Sequence, residues 1–73
     1  MCYVIVKNKN KRGCYALKAK HGNELVQLKN KLEASVKKDV QVVLISRPSA
    51  YGEYAPYNFA DSEDELMALA VNA

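Results

Sequence analysis

At 73 residues, with 49% hydrophobic and 26% charged residues and a net charge of +3, the chain fits one small globular domain spanning residues 1–73. A chain of this size buries only about 60% of its unfolded surface, so a stability of roughly 4–10 kcal/mol is expected. No apolar run approaches the roughly 20 residues that span a bilayer, and the opening Met1–Val6 is too short for a secretion signal. These features argue against a membrane role and predict a soluble, cytoplasmic protein.

The chain holds two cysteines, Cys2 and Cys14. A secreted miniprotein of this length would carry more, in even number, to staple its fold. Reduced thiols are the expectation. Charge is divided unevenly along the chain. Residues 1–47 carry all eleven basic groups against Glu24, Glu33 and Asp39, a net +8; residues 48–73 carry five acids and no base, a net −5. A basic body with an acidic tail can bind a polyanion, or pair with itself within or between subunits.

The first element is Cys2-Tyr3-Val4-Ile5-Val6, a β-rich run apolar on both pleat faces, which predicts a central strand. Lys7 to Gly13 is polar and closes on a glycine, the pattern of a hairpin loop. From Cys14 to Lys20 the residues alternate: Tyr15, Leu17 and Ala19 point one way, Ala16, Lys18 and Lys20 the other. Its lysines suit a solvated face on an edge strand.

His21-Gly22-Asn23 breaks that strand, with Asn23 as the expected cap of a helix over Glu24 to about Val36. Leu25, Leu28, Leu32 and Val36 then fall on one stripe. Val40 to Ser46 follows as a third strand. A helix lies between it and the second strand, so the two should run parallel, linked by a right-handed crossover. After a tyrosine-rich loop, Asp61 or Ser62 caps a last helix, with Ser62 and Glu65 at capping-box spacing. The predicted class is α+β: a two-layer ββαβα fold with a three-stranded mixed sheet in the order 2-1-3 and two helices.

Strands apolar on both faces leave one sheet face uncovered if both helices pack on the same side. Either the last helix or a partner subunit must cover it, and large exposed apolar patches are uncommon on monomers. A homodimer is the expectation.

Three kinds of chemistry are open to such a chain. Cys14 and His21, seven positions apart near one strand, would point to opposite faces and make a poor nucleophile–base pair. His21 reads more simply as a solvated turn residue. No ligand spacing for zinc or calcium and no phosphate-binding glycine loop is present. No catalytic residue, metal ligand or cofactor is therefore assigned, and the chain is read as no enzyme.

The second kind is nucleic-acid binding. Lys9, Lys11 and Arg12, with Lys7, crowd the hairpin tip, and Lys18 lies on the return strand. Such groups neutralise phosphates, and Tyr3 or Tyr15 could stack bases beside them. The plainer reading is a solvated loop that keeps a small protein soluble.

The third is the stretch Ser46–Phe59, which holds both prolines, three of the five tyrosines and the only phenylalanine. Arg47 sits at the carboxyl end of the third strand, where ligands of α/β folds collect. Tyr51, Tyr54 and Tyr57 are spaced by three and could converge beside it on a small ligand or a protein segment. Against this, large rings also hold down irregular loops, and Glu53 could pair with Arg47. The first reading is a self-associating binding module with its site at Arg47, Tyr51, Tyr54 and Tyr57; the runner-up uses the basic hairpin on nucleic acid.

Arg47-Pro48-Ser49-Ala50-Tyr51-Gly52-Glu53-Tyr54-Ala55-Pro56-Tyr57, together with Tyr3-Val4-Ile5-Val6 and Gly13-Cys14-Tyr15-Ala16-Leu17-Lys18, resembles a small group of bacterial proteins classed as a domain of unknown function. The resemblance spans nearly the whole chain. It implies a bacterial, intracellular setting and brings no activity, substrate or cofactor.

Overall fold

The computed structural model describes residues 2–73. The first strand, β1, spans Cys2–Asn8, and Val4, Ile5 and Val6 within it have no solvent exposure. Three consecutive buried residues require cover on both faces of the sheet, so β1 lies inside, as its sequence predicts. A turn follows in which the Asn8 side-chain oxygen accepts the Asn10 N–H at 2.8 Å and the Asn8 carbonyl accepts the Lys11 N–H at 3.1 Å. Gly13 closes it at φ 88°, a conformation that favours glycine. Strand β2, Cys14–Ala19, then returns antiparallel to β1, with Val4 opposite Leu17 and Tyr3 opposite Lys18.

Helix α1 spans Asn23–Ser35 and buries Leu25, Leu28 and Leu32. Its cap differs from the expected one. Gly22 occupies the N-cap position at φ 138°, and its carbonyl accepts the Leu25 N–H, so Asn23 is already the first helical residue and makes no side-chain cap. Strand β3, Val40–Ile45, pairs antiparallel with β1 on the side opposite β2. It therefore runs parallel to β2 with β1 between them, the relation a helical crossover imposes.

Two corrections to the predicted ββαβα plan follow. Tyr57–Phe59 forms a fourth strand, β4, parallel to β2, with Cys14 opposite Tyr57 and Ala16 opposite Phe59. The sheet thus has four strands in the order β3-β1-β2-β4, which keeps the predicted order of three and adds β4 beside β2. It also removes β2 from the edge over Cys14–Ala16, leaving only its Leu17–Ala19 end without an outer neighbour. The sequence concealed β4 because it is three residues long and directly follows a proline, which reads as loop punctuation.

Helix α2, Glu63–Val71, is capped as predicted: the Ser62 hydroxyl accepts the Glu65 N–H at 3.1 Å. The Glu65 carboxylate reaches back to the Asp61 N–H at 2.9 Å, one residue before the cap. Glu63, Asp64 and Glu65 in the first turn complement the helix dipole. Leu66 and Ala70 are buried, while Val71 is exposed.

Both helices pack on one face of the sheet. Leu25, Leu28, Leu32, Leu66 and Ala70 meet Cys2, Val4, Val6, Leu17, Val40 and Val42 in the main core. Full burial of residues such as Leu32 and Leu66 stabilises by about 1.5–3 kcal/mol each. The opposite face holds a second, smaller cluster of Ile5, Cys14 and Ala16. Neither helix covers that cluster. Tyr3, Val43, Ile45, Tyr54 and Tyr57 pack against it, so the tyrosine-rich segment is its cover. No helix among the described residues is long and apolar enough to cross a membrane.

Candidate functional site

The segment between β3 and β4 connects the two opposite edges of the sheet, and it does so on the helix-free side. Its fixing points are explicit. The Ser49 N–H donates to the Tyr57 hydroxyl at 3.2 Å, the Ser49 hydroxyl donates to the Tyr51 carbonyl at 2.7 Å, and the Ala55 N–H donates to the Gly52 carbonyl at 3.2 Å. The Pro56 carbonyl, after a cis Ala55–Pro56 bond, accepts the Cys14 N–H at 3.0 Å. The Asn58 amide donates to the Cys14 carbonyl at 3.1 Å, and the Ala60 N–H to the Ala16 carbonyl at 2.8 Å.

These bonds divide the tyrosines. Tyr54 and Tyr57 are half-buried against the second cluster. Tyr51 is 92% exposed and lies away from it. Arg47 is exposed, and no ion pair joins it to Glu53; the only salt bridge among the described residues links Lys29 to Glu33 at 3.0 Å. The structure spends Tyr54 and Tyr57 on packing and leaves Arg47 and Tyr51 in solvent.

A different aromatic group stands at the surface. The Tyr3 and Phe59 rings meet edge to face with centroids 6.0 Å apart, and Phe59 stacks on Tyr57 at 6.1 Å with planes 13° apart. Pairs of this kind are worth about 0.5–1.5 kcal/mol beyond their buried area. Phe59 nevertheless remains 56% exposed. Side-chain alternation puts Lys7 and Lys18 on this same face, and Lys18 lies directly opposite Tyr3 in the β1–β2 register. No strand contains an aspartate or glutamate. The helix-free face therefore combines a three-ring aromatic row with adjacent cations, and its one acidic neighbour in the covering segment is Glu53.

Tyr57 and Lys18 were among the residues singled out from sequence, though in separate hypotheses. Tyr3 is also legible from sequence as a base-stacking ring. Phe59 was missed as a surface ring; the alternation Tyr57-Asn58-Phe59, two rings at strand spacing, was the available signal. Lys9, Lys11 and Arg12 are exposed at the hairpin tip. The Lys7 ammonium is turned to that tip, donating to the Lys11 carbonyl at 2.6 Å. At the hairpin base, Lys11, Arg12, Cys14, Tyr15 and Asn58 border a shallow hollow.

The thiols are both free and buried. Burial pushes the Cys14 thiol up from 9.0 to about 11, opposed by the nearby Lys7 charge. His21 pairs with the other cysteine: its Nδ1 lies 3.3 Å from the Cys2 sulfur. Among the described residues no group of three or more His, Cys, Asp or Glu could hold a metal ion.

A two-layer α+β fold with helices on one face, and an aromatic segment drawn across the other, defines the class. Over residues 1–73 the chain matches a family of unknown function, DUF6718, and it belongs to that family. No curated protein matches the chain.

Proposed function

We propose that the protein is a non-enzymatic binding module whose working surface is the helix-free face of the sheet, and that it takes single-stranded nucleic acid there. One observation carries the reading: Phe59, more than half exposed, sits in a ring row with Tyr3 and Tyr57, with Lys18 opposite Tyr3 in the strand register. A base offers a π-face to such rings and its phosphate offers an anion to the adjacent ammonium, so one ligand class matches both features. Tyr57 and Phe59 come from the tyrosine-rich stretch, Tyr3 from β1 and the cation from the hairpin, which joins parts of the two sequence-derived sites on one face. Lys9, Lys11 and Arg12 at the tip extend the basic track away from the rings. Two free, buried thiols support a reducing, cytoplasmic setting.

The test is fluorescence anisotropy with labelled single-stranded DNA and RNA oligonucleotides over a salt series. Phe59→Ala is expected to weaken binding by about 1–3 kcal/mol. Lys18→Gln should reduce the salt slope by about one charge. Absence of salt-dependent binding to any strand at micromolar protein would overturn the proposal. So would binding that loses nothing with Phe59→Ala but disappears on reversing Lys9, Lys11 and Arg12, since the tip alone would then be the site.

A further inference from the structure

Strand β3 is an edge of the sheet, and nothing among the described residues pairs with its outer side. Its sequence, Val-Gln-Val-Val-Leu-Ile, has six residues with no charge, no proline and no glycine. Natural edge strands are ordinarily blunted by a lysine, a proline, a bulge or short length. The other edge, β4, has only three residues. From this contrast we infer that β3 pairs antiparallel with β3 of a second copy about a two-fold axis, joining two sheets into one of eight strands. The inference stands independently of the nucleic-acid reading.

The backbone fixes which groups face outward. The Lys9 N–H donates to the Asp39 carbonyl at 2.8 Å, so the bonded positions of the β1–β3 ladder run through Asp39, Gln41, Val43 and Ile45. The N–H and C=O groups of Val42 and Leu44 consequently point to the free side, while the Val40 N–H is held at 3.0 Å by the Lys37 carbonyl in the turn that opens β3. A two-fold axis normal to the sheet keeps both helix layers on the same side, which requires helix-side residues to meet helix-side residues across the seam. Two registers centred on β3 satisfy that condition.

Charge chooses between them. With Val42 on the axis, Arg47 of the second copy comes against the turn that opens β3, where Lys37 and Lys38 stand, and like charges gather. With Val43 on the axis, Val42 exchanges hydrogen bonds with Leu44 of the copy, and Asp39 lies opposite its Arg47. Arg47, exposed and without an ion-pair partner among the described residues, gains a carboxylate in each copy by symmetry. Leu44, 39% exposed at the edge, gains Val42 as its cross-seam neighbour. Opposite charges directly across an antiparallel pair favour it, and like charges disfavour it. The second register is the assigned one.

Light scattering after size exclusion, over a micromolar dilution series, reads the mass. Twice the chain mass is expected, falling to the single-chain mass on dilution. Leu44→Pro leaves the β1 ladder intact, because the N–H it removes faces outward, and should give a single chain with an unchanged far-ultraviolet spectrum. Leu44→Lys repeats the test if the proline variant fails to fold. Asp39→Arg and Arg47→Asp should each raise the dimer dissociation constant by about tenfold, and the double swap should restore it. In the unaltered protein, slow hydrogen exchange at the Val42 and Leu44 amides should fade with dilution. A single-chain mass throughout, or a dimer indifferent to Leu44→Lys, or a double swap without rescue, would overturn the assigned interface.

Discussion

Gly13 and Pro56 touch where the hairpin meets the crossing segment: a Cβ on Gly13 would stand 2.9 Å from the Pro56 carbonyl oxygen, and Gly13 itself has φ 88°. The same carbonyl accepts the neighbouring Cys14 N–H. One residue therefore meets two constraints, a backbone that disfavours side chains and a space that excludes them. Gly13→Ala should cost about 1–3 kcal/mol of strain. In a domain of this length that lowers the melting temperature by about 4–8 °C per kcal/mol. Thermal unfolding followed by circular dichroism checks it, and an unchanged midpoint would contradict the close contact.

Tyr51 and Tyr54 offer a paired comparison within the crossing segment. Tyr51 is almost fully exposed, and its Ala variant should stay within about 0.5 kcal/mol of the parent. Tyr54 packs on Ile5, Cys14 and Ala16, so Tyr54→Ala should lose on the order of 1–3 kcal/mol. Urea denaturation of the two variants side by side decides the matter. Equal losses would mean that the segment does not cover the sheet as described.

Cys14 should leave a signature at high pH. Its folded thiol holds its proton to about pH 11, whereas an ordinary thiol releases it near 9.0. The unfolded state therefore loses a proton first as pH rises, and native stability falls between those values. Below about pH 9 the contribution is fully present. Cys14→Ala removes this dependence, so the stability difference between parent and variant should shrink steadily from pH 9 to 11. Alkylation of Cys14 in the native protein should also be slow at neutral pH, because burial and a scarce thiolate act together.

Much of the frame is legible in the sequence because it rests on local pattern. Val4, Ile5 and Val6 in a row demand a two-sided strand, Leu25, Leu28 and Leu32 a buried stripe, and Ser62 with Glu65 a cap. Asn23 misled because Gly22 adopts a conformation that no side-chain preference signals, and the helix starts one residue early. The tyrosines show the deeper obstacle. Tyr51 and Tyr54 are the same residue at a regular spacing, yet one is solvated and one packed, since their fates depend on a sheet face assembled from distant residues. For the same reason Lys18 and Tyr57 could each be named from sequence, but their common surface with Phe59 emerges only from the pairing of β2 with β4.

The segment that leaves β3 at one margin of the sheet and returns as β4 at the other has a consequence for how the molecule comes apart. β4 holds on by three paired residues, while β1 pairs along most of its length on both sides. Detachment of β4 therefore lies at the low-energy end of the opening motions, below global unfolding. Such an opening lifts Tyr57 from Ile5 and Ala16, bares the outer rim of β2 and admits solvent to Cys14 in a single event. With the fewest paired residues of any strand, β4 is expected to be the first to let go.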